Sequence, residues 1–397
     1  MSKFLLLFGT TPALSQLELR LLAPELEWQV IKTGELKERL AFLEADDSFD
    51  PQKIIAQTAG LVKIFRLEKT LAKDSDLEAL KTAVAKTVSA QAERPYFGVY
   101  QKGRGQKAIS NGKIKAMLKA KGISSRYFTA SLDASALSLH HQDAQEIFLY
   151  HDEEQIYLSR LVAMQDIDDW TKRDRSKPYF DRKKGMLPPK VARMMLNIAL
   201  GQWLKDNPNK QAQDARLYDP FCGTGTVLAE ALAAGCQIYG SDLDEQAIWG
   251  SQENLNWFVQ EYNLPAQDFK KQIFLSDVGQ LNPANFPEKI DLLVTEPFLG
   301  RQTPKEKDLA NIFKGLEKMY LGAFKNFSKI LNPGAKIVII FPKVQAEQKT
   351  YSLKKLIDKL ALKGYNPFVE SLTYARSGAR VQREIYCFTY EGKKEER

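Results

Sequence analysis

Cysteine is nearly absent from this 397-residue chain: Cys222, Cys236 and Cys387 are the only three, and none stands at C-x-x-C spacing. That excludes a disulfide framework and a structural zinc site, and it fits a reducing compartment. Histidine is equally scarce, with His140, His141 and His151 all in polar sequence; they read as surface residues, and no metal centre is expected. Long apolar runs are missing too. The run at 4–8 is shorter than a signal-peptide core of roughly 7–15 residues, and nothing approaches the ~18 needed to span a membrane. A soluble cytoplasmic protein is therefore expected. A more local absence concerns acid. Between 94 and 132 there is no Asp or Glu, while Arg94, Lys102, Arg104, Lys107, Lys113, Lys115, Lys119, Lys121 and Arg126 all fall there. Such a stretch offers a contact surface for a polyanion.

What is present is ample. Hydrophobic residues make up 44% of the chain, enough for the two or three cores that ~150 residues per domain implies. The net charge of +8 is unevenly spread. Residues 51–150 hold 16 basic and 8 acidic side chains, 201–300 hold 6 and 14, and 301–397 hold 20 and 10. Parts so different in sign are expected to meet different partners.

The first 54 residues read as a small α+β unit, with a strand over 3–8, a helix over 15–22 and a further strand. Helical patterns follow over 54–62 and 76–87, then a strand over 96–100, a basic helix over 112–121, and strands over 146–150 and 155–160. Residues 166–190 are polar, basic and Pro-bearing, and read as a linker. Beyond 191, strands at 216–220, 237–242, 272–276, 290–296 and 335–341 alternate with helices. Strands at 367–374 and 383–390 then form a terminal hairpin. Five parallel strands in βα alternation closed by an antiparallel hairpin make the α/β sheet of a class I methyltransferase.

The strongest motif is Asp219-Pro220-Phe221-Cys222-Gly223-Thr224-Gly225-Thr226, set between a strand and a helix. Two glycines allow a tight turn, and the helix start offers free N–H groups to a ligand. Leu228 occupies the position of the third dinucleotide-fingerprint glycine, and no Gly-Lys-Ser/Thr occurs, so pyrophosphate and Walker readings fail. The remaining pattern, D-P-F-x-G-x-G, is typical of S-adenosylmethionine (SAM) methyltransferases. Asp219 would face the methionyl cation, with Phe221, Gly223 and Gly225 forming the loop around it. Asp242 would accept the ribose hydroxyls, and Asp277 the adenine amino group. Each acid alone reads as a helix cap or solvated loop residue; three at successive strand ends favour the cofactor.

The fourth strand runs into Glu296-Pro297-Phe298-Leu299. Amino-group methyltransferases carry Asp, Asn or Ser there, then two prolines and an aromatic. An exocyclic amine is a poor nucleophile because its lone pair is delocalised into the base. A side-chain oxygen and the first proline's carbonyl accept its N–H bonds and aim it, while the aromatic stacks on the flipped base. Glu296 is one methylene longer than Asp, Phe298 replaces the second proline, and Leu299 takes the aromatic position. Glu296, Pro297 and Phe298 are the catalytic candidates. Arg376, Arg380 and Arg383 frame the terminal loop, as a solvated tip or as a phosphate clamp.

On these residues the chain resembles the THUMP-domain tRNA guanosine N2-methyltransferases that act on the guanosine at position ten. Besides the loop at 219–230, the resemblance is carried by Gln165, Trp170, Arg173, Asp174, Lys177, Pro178, Gly185-Met186-Leu187-Pro188-Pro189, Ala192, Arg193, Asn197, Gly240-Ser241-Asp242 and Asn254. It implies a ferredoxin-like domain (1–54), a THUMP domain (55–165), a linker (166–190) and a catalytic domain (191–397). It implies SAM as cofactor and tRNA as partner, gripped through Lys102, Arg104, Lys107, Lys113, Lys115, Lys119, Arg376 and Arg380. A small activating subunit stays open; otherwise a monomer is expected. A family member would carry Asp-Pro-Pro-Tyr at 296–299, so a non-catalytic RNA-binding relative and a DNA amino-methyltransferase remain alternatives.

Overall fold

Strand β1 (Ser2–Phe8) buries Phe4 through Phe8 without alternation, because Phe4, Leu6 and Phe8 pack in one apolar cluster and Leu5 and Leu7 in another. The computed structural model that shows this describes residues 1–31, 38–103, 109–131, 144–181, 186–301, 303–347, 349–374 and 379–392. Arg104, Lys107, Arg376, His140, His141 and Gly185 lie outside the described residues. The chain divides into two compact units, Met1–Thr171 and Lys172–Arg397, with the division inside the stretch read as a linker. Among the described residues no helix is long and apolar enough to cross a membrane.

In the first unit, β2 (Trp28–Ile31), β3 (Leu40–Ala45), β4 (Leu61–Ala72), β5 (Tyr96–Gly103), β6 (Arg126–Tyr127), β7 (Ala144–His151) and β8 (Gln155–Met164) join β1 in one sheet of order β2-β3-β1-β4-β8-β7-β5-β6. Helix α1 (Pro12–Leu22) follows β1, and its buried Glu18 accepts the backbone N–H groups of Ala59 and Gly60 at 2.9 and 2.7 Å. Helix α2 (Pro51–Gln57) is capped by Asp50. The helical pattern expected through residue 62 stops there, since Leu61 already pairs with Phe8 in the sheet. β4 lies between β1 and β8, so the sheet continues past residue 54 without a break. Helices α3 (Leu77–Ser89) and α4 (Asn111–Ala120) bury Leu80, Val84, Ile114 and Leu118 with Phe97 and Ile147. Lys63 and Glu146, both fully buried, pair at 2.5 Å.

The second unit is built on β9 (Arg216–Asp219), β10 (Gln237–Asp242), β11 (Ile273–Leu275), β12 (Ile290–Thr295), β13 (Leu331–Gln345), β14 (Thr350–Tyr351), β15 (Tyr365–Pro367), β16 (Leu372–Tyr374) and β17 (Val381–Tyr390). The main order is β11-β10-β9-β12-β13-β17-β15. The first five strands are parallel, and β17 enters antiparallel between β13 and β15. Helix α5 (Ile167–Arg175) spans the division between the units. Helices α6 (Pro189–Asp206), α7 (Thr226–Ala233), α8 (Glu245–Glu261), α9 (Phe269–Gln272), α10 (Leu309–Ile330) and α11 (Lys354–Ala361) follow in the second unit. This is an α/β fold of methyltransferase type. The strand order reverses at β9, where β10 lies on one side and β12 on the other, and the ends of strands at such a switch point are where open α/β sheets carry their ligand crevice.

Candidate active site

The crevice begins with the turn after β9. Gly223 and Gly225 adopt φ of +50° and +81°, left-handed values that side chains rarely take. At Gly225 a Cβ would also lie 2.6 Å from the Ser251 hydroxyl, so both shape and packing demand glycine. The Cys222 amide donates to the Ser241 carbonyl at 2.9 Å, and the Gly225 amide to the Cys222 carbonyl at 2.8 Å. From α8, buried Asn254 donates to the Thr224 carbonyl at 2.9 Å and to the Tyr179 carbonyl at 3.1 Å, and accepts the Tyr179 amide at 2.9 Å. Sequence reasoning quoted Asn254 without a role; a polar residue on the buried face of an amphipathic helix is the signal that could have supplied one. Buried Glu230 on α7 likewise pairs with Arg173 at 3.0 Å and Arg193 at 3.8 Å. Arg173 and Tyr179 before α6, Arg193 within it and Asn254 on α8 thus brace the loop and its helix.

Three acids surround this turn. Asp219 is buried, and its Oδ1 accepts the Thr295 hydroxyl at 2.6 Å and the Phe221 amide at 3.1 Å. Burial pushes its carboxyl up to about 7 against the pull of these two donors, and the charges of Asp242 and Glu296 push the same way. Asp242, at the end of β10, accepts the Gly223 amide at 3.0 Å and the Asp244 amide at 3.1 Å. The Ser276 amide donates to the Asp242 carbonyl at 3.0 Å, which brings exposed Asp277 alongside. Asp277 caps a short turn by accepting the Gly279 amide at 2.7 Å. Leu243 and Leu275 flank these acids with exposed apolar surface, 74% and 50% accessible.

Across the crevice, Thr295 ends β12 and Glu296 follows. Glu296 Oε1 accepts from Arg383 Nε at 2.5 Å, with both side chains largely buried. Arg383 lies on β17, opposite Pro342 and Tyr374, and its guanidinium sits 5.9 Å from the Tyr374 ring. It therefore stands inside the crevice wall rather than at a solvated tip. Pro297 is buried and Phe298 is 61% exposed. The fully buried Tyr320 donates from its hydroxyl to the Phe298 carbonyl at 2.8 Å; burial, followed by the Glu296 charge, raises its pKa. Thr295, Tyr320 and the Arg383 contact escaped sequence reasoning because their partners lie 76, 22 and 87 positions away.

The remaining basic candidates fall elsewhere. Lys113, Lys115 and Lys119 are exposed along α4, and Lys115 Nζ lies 5.8 Å from the ring of exposed Tyr127. Arg126 stacks over Tyr96 at 5.2 Å. Lys102 is the last residue but one of β5 and half-buried, and Arg380 is exposed just before β17.

A turn of this form, with acids at successive strand ends, fits a SAM-type ligand: the carboxylates can accept hydroxyl and amino donors, and the exposed leucines offer apolar surface for a base. Residues 181–366 match the family model described as RMKL-like, methyltransferase domain. That match lies within the second unit. The chain is similar to tRNA (guanine(10)-N2)-dimethyltransferase of Methanocaldococcus jannaschii, 32% identical over 170 residues, which is 42% of this chain and 44% of that one. The enzyme of the same name from Methanothermobacter thermautotrophicus is 35% identical over 128 residues, 32% of this chain and 31% of its own. The chain thus spans less than half the length of these two relatives. In fold it is similar to TrmN from Thermus thermophilus, with a TM-score of 0.57 at 15% identity, covering 98% of this chain and 99% of that one.

Proposed function

We propose that this chain is a SAM-dependent tRNA methyltransferase that converts a guanosine to N2-methylguanosine. The observation that carries the reading is the meeting of two differently held acids at one crevice. Asp219 ends β9 and is bonded to Thr295, and Glu296 follows Thr295 in the chain. SAM supplies an electrophilic methyl group when bound. Asp219, with Phe221, Gly223 and Gly225, holds the methionyl end; Asp242 takes the ribose hydroxyls and Asp277 the adenine amino group. Glu296 and the Pro297 carbonyl accept the N–H bonds of the guanine amine, which returns lone-pair density to the nitrogen, and Phe298 stacks on the base. The Tyr320 bond to the Phe298 carbonyl holds that turn in shape.

The names of the similar archaeal enzymes support tRNA as substrate and the guanine amine as target. In the same reading residues 1–54 are ferredoxin-like, 55–165 form the THUMP domain and 166–190 link them to the catalytic domain 191–397. The exposed lysines of α4, with Lys102 and Arg380, meet phosphates. Incubation with radiolabelled SAM and bulk tRNA, followed by nucleoside digestion, should yield labelled N2-methylguanosine. SAM binding without transfer to any tRNA would favour a non-catalytic RNA-binding protein, and transfer to duplex DNA in preference to tRNA would favour a DNA enzyme.

A further inference from the structure

The crevice places a cation where the guanine reading requires only an acceptor. Glu296 uses Oε1 for Arg383 Nε. Among the described residues, Glu296 Oε2 and the two Arg383 Nη groups make no hydrogen bond, and none of them is among the buried side-chain atoms left without a partner. An acceptor and a set of donors are thus fixed side by side, open to an incoming group, beside the exposed ring of Phe298.

Resting on guanine methylation as proposed above, we infer that Arg383 is a specificity-determining residue: the Glu296–Arg383 pair reads the edge of guanine. That edge presents an amine at C2, an N–H at N1 and a carbonyl at C6. A carboxylate meets the two adjacent donors, and a guanidinium N–H meets the carbonyl. Adenine offers a donor and then a bare ring nitrogen, which faces the carboxylate with a lone pair. The ion pair also orients the longer Glu side chain, because Nε draws its carboxylate toward β17. It balances charge as well, since Asp219 and Asp242 lie close enough for their charges to act on one another. Arg suits this task better than Lys because its planar fork can bond Glu296 through Nε and still present Nη donors to a second acceptor.

The test uses a tRNA assembled by ligation, in which the guanosine that becomes methylated is replaced by 2,6-diaminopurine. This base keeps the C2 amine, leaves N1 without its proton and turns the C6 acceptor into a donor. The wild type should prefer guanosine by about 10- to 100-fold in kcat/KM, the usual size of one mismatched edge contact. Arg383→Gln, whose amide carbonyl can accept from the C6 amino group, should lose rate on guanosine and narrow the preference by about tenfold, leaving only the part that the N1 contact with Glu296 supplies. Arg383→Lys keeps a donor and should retain the preference at a lower rate. SAM affinity, measured by calorimetry, should be unchanged in both variants, which reports an intact fold. A guanosine preference in Arg383→Gln equal to the wild type overturns the inference and leaves Arg383 a structural partner of Glu296. So does a wild type indifferent to the two bases. Absence of any methylation of guanosine tRNA by the wild type defeats the functional reading itself, and the inference with it.

Discussion

The two walls of the crevice hold their acids differently. On the β9–β10–β11 side, Asp219, Asp242 and Asp277 each accept a backbone N–H from within their own turn or from the neighbouring one. On the β12 side, Glu296 is held by a side chain from β17. Backbone amides are present whatever the sequence, so the first wall rests chiefly on turn shape, with the Thr295 hydroxyl as an added donor to Asp219. The second depends on one arginine. The expectation is that the first wall sets affinity for a cofactor and the second sets rate and choice of base, and substitutions can pull these properties apart.

The largest separation should come from Glu296→Ala. Methylation of tRNA should fall about a hundredfold, near 3 kcal/mol of transition-state stabilisation, while calorimetric SAM affinity stays within twofold. A parallel loss of both would erase the distinction between the walls.

Asp219→Asn tests the first wall through pH. The folded carboxyl lies near 7, above its unfolded value, so the stability that this one group contributes is fully present below about pH 4 and is lost as pH rises toward 7. The amide keeps an oxygen for the Thr295 hydroxyl and does not titrate. The variant should therefore be roughly 2–3 kcal/mol more stable than the wild type at pH 8, with the gap closing toward pH 4. Thermal unfolding at pH 5 and pH 8 measures this, and parallel curves would mean that the carboxyl is ionised without cost. Without its charge, the variant should also bind SAM less tightly.

Asp242→Ala removes a carboxylate that no side chain replaces. SAM affinity should weaken by roughly 1–3 kcal/mol, with the guanosine preference of residual activity unaltered. A change in base preference would show that the walls communicate.

The smallest effect belongs to the first unit. Changing Lys113, Lys115 and Lys119 together to Ala should weaken tRNA binding by about tenfold and flatten its salt dependence, since each phosphate contact releases condensed counterion. Filter binding across a salt series reads both, and an unchanged slope would make α4 a merely solvated face.

Legibility in sequence follows the same division. The glycine turn, its acids and the parallel strands were readable because the residues that explain them lie within a few positions of one another. Glu296 was readable as a departure from pattern, but Arg383, 87 positions on, gave no local sign of its partner. The helical pattern read over 54–62 misled for a related reason. Leu61, Ile64 and Phe65 form a strand buried on both faces, and such an apolar run fits a helix as readily until its sheet partners are known. The pairing of β4 with both β1 and β8 has no signature within β4 itself.

The position of β17 bears on how the molecule is made. Of the strands in the second sheet, β17 is synthesised last, yet it lies between β13 and β15 rather than at an edge. Among the described residues β15 has its sheet partner only in β17, and Glu296 its ionic partner only in Arg383. While residues 381–390 are still inside the ribosome, the glycine turn and its three acids have already been synthesised. The wall that Glu296 and Arg383 form must wait, so a nascent chain carries the glycine-turn side of the crevice before the other side can be completed.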